Sequence, residues 1–144
     1  MQPRLDFMFA KGAITALMTV EKQIEKGTLD NVIKELVRLR ASQLNGCAFC
    51  LDMHSADARK AGESERRLAT LSAWRETTFF SERERAALEW TESLTLVSEN
   101  HVPDVVWEAV RPHFSDDELV DLTLLITSIN SWNRFGIAFR KMPV

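Results

Sequence analysis

From Leu29 onward the apolar residues Val32, Ile33, Leu36, Val37 and Leu44 fall at offsets of 3, 4, 7, 8 and 15. That is one face of a 3.6-residue helix, and the same period returns along the rest of the chain while strand-like alternation does not. Punctuation is sparse: five Gly and four Pro in 144 residues. The first helix is expected to stop at Asn45-Gly46 and a second to run from about Cys47 to Ala61, with Gly62 behind it. Ser81 with Glu84 and Ser115 with Glu118 have capping-box spacing and open two more helices. Pro103 fits the first turn of another and Pro112 ends it, and the stretch from Asp116 to about Lys141 is apolar over a wide arc. The expectation is an all-α, single-domain bundle of about six or seven helices spanning residues 1–144.

A chain of this length buries roughly 70% of the surface exposed when unfolded, so a core forms without disulfide staples. With 45% apolar and 27% charged residues the balance is that of an ordinary globular protein. A net charge of -3 leaves no basic footprint, so no nucleic-acid partner is expected. No run approaches the roughly 20 apolar residues needed to cross a bilayer, so no membrane partner is expected either. The segment from Met1 to Lys11 mixes Arg4, Asp6 and Lys11 with short apolar runs, unlike a signal peptide. The chain is read as cytoplasmic. In a reducing compartment two cysteines three positions apart close too small a loop to act as a staple and point instead to catalysis or metal binding.

Chemistry concentrates between Glu35 and His54, in the run ELVRLRASQLNGCAFCLDMH. On a helix starting at Cys47, positions 47, 50 and 54 lie at about 0°, 300° and 340°, so both sulfurs and the imidazole share a face. A free thiol with pKa near 8.5 is only about 3% ionised at pH 7. A helix start offers unpaired N–H groups and a positive dipole end. Together with a nearby His these lower a thiol pKa by about two units, roughly 2.7 kcal/mol, which raises the thiolate to about three quarters. Glu35 lies on the flank of the preceding helix. If that helix packs on the cysteine helix, its carboxylate orients His54 and holds a proton.

These spacings resemble the core motif of the AhpD-like (alkylhydroperoxidase D) branch of the carboxymuconolactone decarboxylase superfamily. The shared features are a Glu twelve residues before CxxC, a small-residue helix end, and a His four residues after the second Cys. The resemblance is dense over about 30 to 35 residues, within a core motif at about 30–65, and the terminal WNRFGIAFR from Trp132 to Arg140 is also similar. It implies Cys50 as the peroxide-attacking thiolate that becomes a sulfenic acid, Cys47 as the resolving thiol, and His54 with Glu35 as the proton relay. It also implies a hydroperoxide substrate, a thiol or protein reductant, no cofactor, and a homo-oligomer, trimeric or hexameric. The best-known alkylhydroperoxidase has a His between its cysteines, whereas this chain has Phe49 there and lacks that relay member.

Other readings stay open on the residues alone. Cys47, Cys50 and His54, completed by a Glu, are suitable zinc ligands, although structural zinc favours two separated ligand pairs. The pair also suits disulfide exchange with a partner protein, or two inert core cysteines in a non-catalytic helical binding module. Haem attachment requires His directly after the second Cys, where Leu51 stands. Glu35 is equally readable as a solvated residue beside Arg38. His101 and His113 are read as surface or loop residues, and Trp74, Trp90, Trp107 and Trp132 as core or interface anchors. The run Glu82-Arg83-Glu84-Arg85 is read as a solvated helix face.

Overall fold

The helical period is realised in a computed structural model describing residues 1–144: eight α-helices and three short 3-10 segments, with no strand. In chain order the helices are α1 (Lys11–Lys26), α2 (Asn31–Asn45), α3 (Ala48–Lys60), α4 (Glu65–Thr70), α5 (Glu82–Thr95), α6 (Val97–Asn100), α7 (Asp104–Val110) and α8 (Asp116–Phe139). Six of them have seven residues or more, the number expected from periodicity. The short α4 and α6, of 6 and 4 residues, are single turns in the connections, too short to leave a periodic signature.

Side chains satisfy orphan donors at the starts of α2, α4, α5 and α8. Asp30 accepts from the Ile33 N–H, and Ser64 from that of Arg67. Both expected capping boxes form, Ser81 with Glu84 and Ser115 with Glu118, each contributing about 1 kcal/mol. Pro103 is the residue before α7 rather than inside it, and Pro112 sits in the 3-10 turn that follows.

Helix α2 is central because it is apolar on two faces. Ile33 and Val37 pack into a cluster with Ile24, Trp90, Leu122 and Ile126, whereas Leu36 and Leu39 join Leu71, Trp74, Phe80 and Leu88. Each such side chain contributes roughly 1.5–3 kcal/mol through burial. With both faces covered, α2 packs on α3, α5 and α8, and polar residues on it are held inside the bundle rather than against solvent.

The sequence reading placed no helix over residues 11–26, where α1 forms. Its inward stripe carries a carboxylate among the apolar residues: Ile14 and Ile24 are buried, and Glu21 is half-buried beside them. Glu21 is turned toward a cation on α2, described below, whereas Glu25 stays largely exposed.

Candidate active site

The two cysteines owe their position to the turn between α2 and α3. Gly46 ends α2 at φ 70°, a left-handed conformation that glycine adopts without steric cost. The Gly46 N–H donates to Gln43 O at 3.3 Å and the Cys47 N–H to Ser42 O at 3.1 Å, closing a Schellman-type turn. The chain reverses so tightly that Cys47 itself caps α3. Its sulfur accepts from the Cys50 N–H at 3.3 Å. Helix α3 thus begins at Ala48, one residue later than expected, with Cys50 in its first turn.

Cys47 and Cys50 are joined as a disulfide, with Cα atoms 5.3 Å apart, and each residue is only 2% exposed. Helix α8 backs the pair. A Cβ added at Gly136 would lie 3.1 Å from the Cys47 sulfur and 3.7 Å from that of Cys50, so the small residue there leaves room for the bridge. Amide contacts hold α8 in place. The Asn45 amide donates to Asn130 at 2.9 Å and to Asn133 at 2.8 Å, and fully buried Asn133 donates to Ser42 Oγ at 3.0 Å. This network ties the end of α2, and the turn after it, to α8.

One α-helical turn beyond Cys50, His54 meets Glu35 of α2: Nδ1 lies 3.1 Å from Oε2. The other Glu35 oxygen accepts from Arg38 Nη1 at 2.7 Å. Burial pushes the Glu35 carboxyl up, but the hydrogen bond and charge of His54, with the charge of Arg38, outweigh it and hold the group below the ordinary value of 4.5. As a carboxylate it only accepts, so the ring N–H at Nδ1 donates and Nε2 is left as the basic nitrogen.

Arg38 explains the inward Glu21 of α1, while the exposed Glu25 pairs chiefly with Lys34 at 2.8 Å. The Arg38 side chain, 9% exposed, bonds Glu35 through Nη1, and through Nη2 it bonds Glu21 at 3.0 Å and Glu25 at 3.4 Å. Burial opposes its charge, but Glu35 and Glu21 more than offset this and raise its pKa. Glu21 also accepts from Trp132 Nε1 at 3.2 Å and from Ser128 Oγ.

The arrangement opens onto a cavity of about 330 Å³. Its walls are mostly apolar and include Phe7, Met18, Phe49, Met53, Ile129 and Trp132, while Glu21, Arg38, His54 and Lys141 supply the charged and titratable lining. Cys50 belongs to the wall and Cys47 does not. A volume of this size suits a small organic molecule rather than a single water-sized one.

All four residues singled out from sequence therefore gather in one place: Cys47 and Cys50 bonded, His54 a turn further on, and Glu35 against His54. Glu35 is also paired with Arg38, so its two sequence readings describe the same carboxylate. Trp74 and Trp90 are core residues, as expected, whereas Trp132 lines the cavity. Sequence reasoning missed Glu21, Arg38, Gly136 and Lys141. An inward-facing Glu in an amphipathic helix and a Gly inside an otherwise apolar one were the available signals.

Comparison with known proteins identifies the family and the fold. The family model described as carboxymuconolactone decarboxylase family matches residues 10–93. Uncharacterized protein YdfG of Bacillus subtilis (strain 168) is 45% identical over 132 residues, covering 92% of this chain and 90% of its own. Among solved structures, ATU0492 of Agrobacterium tumefaciens superposes with a TM-score of 0.96 at 39% identity, covering 99% of both chains. It is described as a protein of unknown function and a candidate antioxidant defence protein AhpD. An alkylhydroperoxidase AhpD core, an uncharacterized peroxidase-related protein from Ralstonia eutropha JMP134, gives a TM-score of 0.84 at 19% identity over 96% of this chain and 74% of that one. The last likeness is one of fold.

Proposed function

The chain belongs to the carboxymuconolactone decarboxylase family, in its AhpD-like branch, and on that premise we propose that it is a dithiol enzyme that reduces organic hydroperoxides. In the reduced enzyme, His54 Nε2 takes the Cys50 proton, and Glu35 stabilises the resulting imidazolium. The Cys50 thiolate attacks the outer peroxide oxygen. An S–O bond forms and the O–O bond breaks, and the departing alkoxide takes the proton back from His54 and leaves as alcohol. Cys50 is then a sulfenic acid.

Cys47 resolves it. As the cap of α3, its sulfur accepts the Cys50 N–H at the positive end of the helix, which favours its anion. That thiolate attacks the Cys50 sulfur, an S–S bond forms, and hydroxide leaves and is protonated to water. In sum, dithiol and hydroperoxide give disulfide, alcohol and water, a two-electron exchange. Two thiol equivalents from an external donor restore the dithiol through a mixed disulfide.

The observation that carries this reading is that Cys50, bonded to Cys47, forms part of an apolar cavity wall together with His54, whose Nδ1 is held by Glu35. Near-complete burial of both cysteines weighs against direct exchange with a folded partner protein. The test is peroxide consumption in the presence of a small dithiol. Cys50→Ser is expected to abolish turnover, and Cys47→Ser, reduced and then freed of dithiol, to consume one equivalent and leave a sulfenic acid that a dimedone probe captures. Sustained turnover by Cys50→Ser would refute the assignment.

A further inference from the structure

The cavity wall also carries a cation that the proposed peroxide chemistry does not use. The charge of Arg38 is met by Glu35, Glu21 and Glu25, and Glu21 accepts from Arg38, Trp132 and Ser128. His54 Nδ1 is committed to Glu35. What remains on the wall is His54 Nε2, which the peroxide chemistry uses, and the ammonium of Lys141. Lys141 Nζ makes no hydrogen bond. Asp6, on an exposed side chain, is 4.0 Å away, and the Phe49 ring centroid is 5.7 Å away.

Lys141 is placed there by the end of α8. Arg140 adopts the left-handed conformation at φ 55°, the Arg140 N–H donates to Ile137 O at 3.2 Å, and the Lys141 N–H returns to Gly136 O at 2.9 Å. Gly136 is the residue that lies against the two sulfurs. One helix end therefore presents both the floor of the redox pair and a cation on the wall beside it.

Resting on the peroxidase reading above, we propose that the substrates are apolar hydroperoxides that carry a carboxylate, whose anionic end pairs with Lys141 while the hydrocarbon fills the cavity and the peroxide meets Cys50. Hydrogen peroxide, little larger than a water molecule of about 30 Å³, would leave most of the apolar volume to solvent. A neutral hydroperoxide would fill the apolar part but leave the ammonium only the exposed Asp6 carboxylate at 4.0 Å as counter-ion.

The experiment compares two hydroperoxides with the same skeleton, 4-(2-hydroperoxypropan-2-yl)benzoate and its methyl ester. Wild type is expected to favour the acid by about fivefold in kcat/KM, in keeping with a partly exposed ion pair. The ratio is expected to fall towards one with added salt and in Lys141→Gln, and to persist in Lys141→Arg. A ratio of one in wild type, or a preference that survives Lys141→Gln, overturns the proposal. If neither hydroperoxide is consumed, it is the peroxidase reading that has failed. Calorimetric binding of 4-isopropylbenzoate against 4-isopropylbenzamide then decides the inference without turnover. Tighter benzoate binding that is lost in Lys141→Gln supports the carboxylate site, and equal binding overturns it.

Discussion

His54 Nδ1 and Glu35 Oε2 lie 3.1 Å apart although 19 residues separate them in sequence, and the second Glu35 oxygen is taken by Arg38. Glu35→Gln keeps the shape and removes the charge that stabilises an imidazolium. In the reduced protein, alkylation of Cys50 at pH 7 is expected to slow about tenfold, one pKa unit or ~1.4 kcal/mol. Iodoacetamide rates measured against pH check this, and an unchanged profile would leave Glu35 a purely structural role.

The same carboxylate makes the fold sensitive to acid. Glu35 has a folded pKa below the ordinary 4.5, because the opposing effect of burial is outweighed by His54 and Arg38. A group depressed in this way stabilises the fold above its unfolded pKa and loses that contribution as pH falls through the lower folded value. Glu92 shifts in the same direction: burial raises it, and bonds from Arg75, Trp74 and Arg40 lower it further. Urea midpoints are therefore expected to be flat near neutrality and to drop below about pH 4.5, with a shallower drop in Glu35→Gln.

Removing the cation between α1 and α2 should be costly. Arg38→Leu takes from Glu21 and Glu35 the guanidinium they share, and breaking a buried pair of this kind costs about 3 kcal/mol. Guanidinium unfolding of Arg38→Leu measures the loss. Arg38→Lys should recover only part of it, because a single ammonium does not reproduce the two-pronged guanidinium contact.

Gly136→Ala separates stability from activity. An Ala inside a helix gains about 1 kcal/mol over Gly, but its Cβ would press on the Cys47 sulfur at 3.1 Å, a crowding of comparable cost. Thermal stability is expected to stay within ~1 kcal/mol of wild type while hydroperoxide turnover falls about tenfold. Unchanged turnover would mean that the wall behind the sulfurs yields freely.

The amino-acid order by itself determined what depends on residues within about five positions of one another. The helix α2, its stop at Gly46, the capping boxes at Ser81 and Ser115, and the placing of Cys47, Cys50 and His54 along one segment all follow from helical period and turn chemistry. For α1 the local order does not show why Glu21 faces inward, because its partner Arg38 lies seventeen residues further on.

Only the packed bundle decided which distant groups meet. The contact of Glu35 with His54 depends on how α2 lies against α3. The tie of Asn45 to Asn133 and the fit of Gly136 behind the sulfurs depend on α8 crossing the same point from the far end of the chain. Local spacing carries no record of such crossings, which are set when α2 buries both of its apolar faces at once, and the carboxylates, the cation and the cavity take their places from that packing.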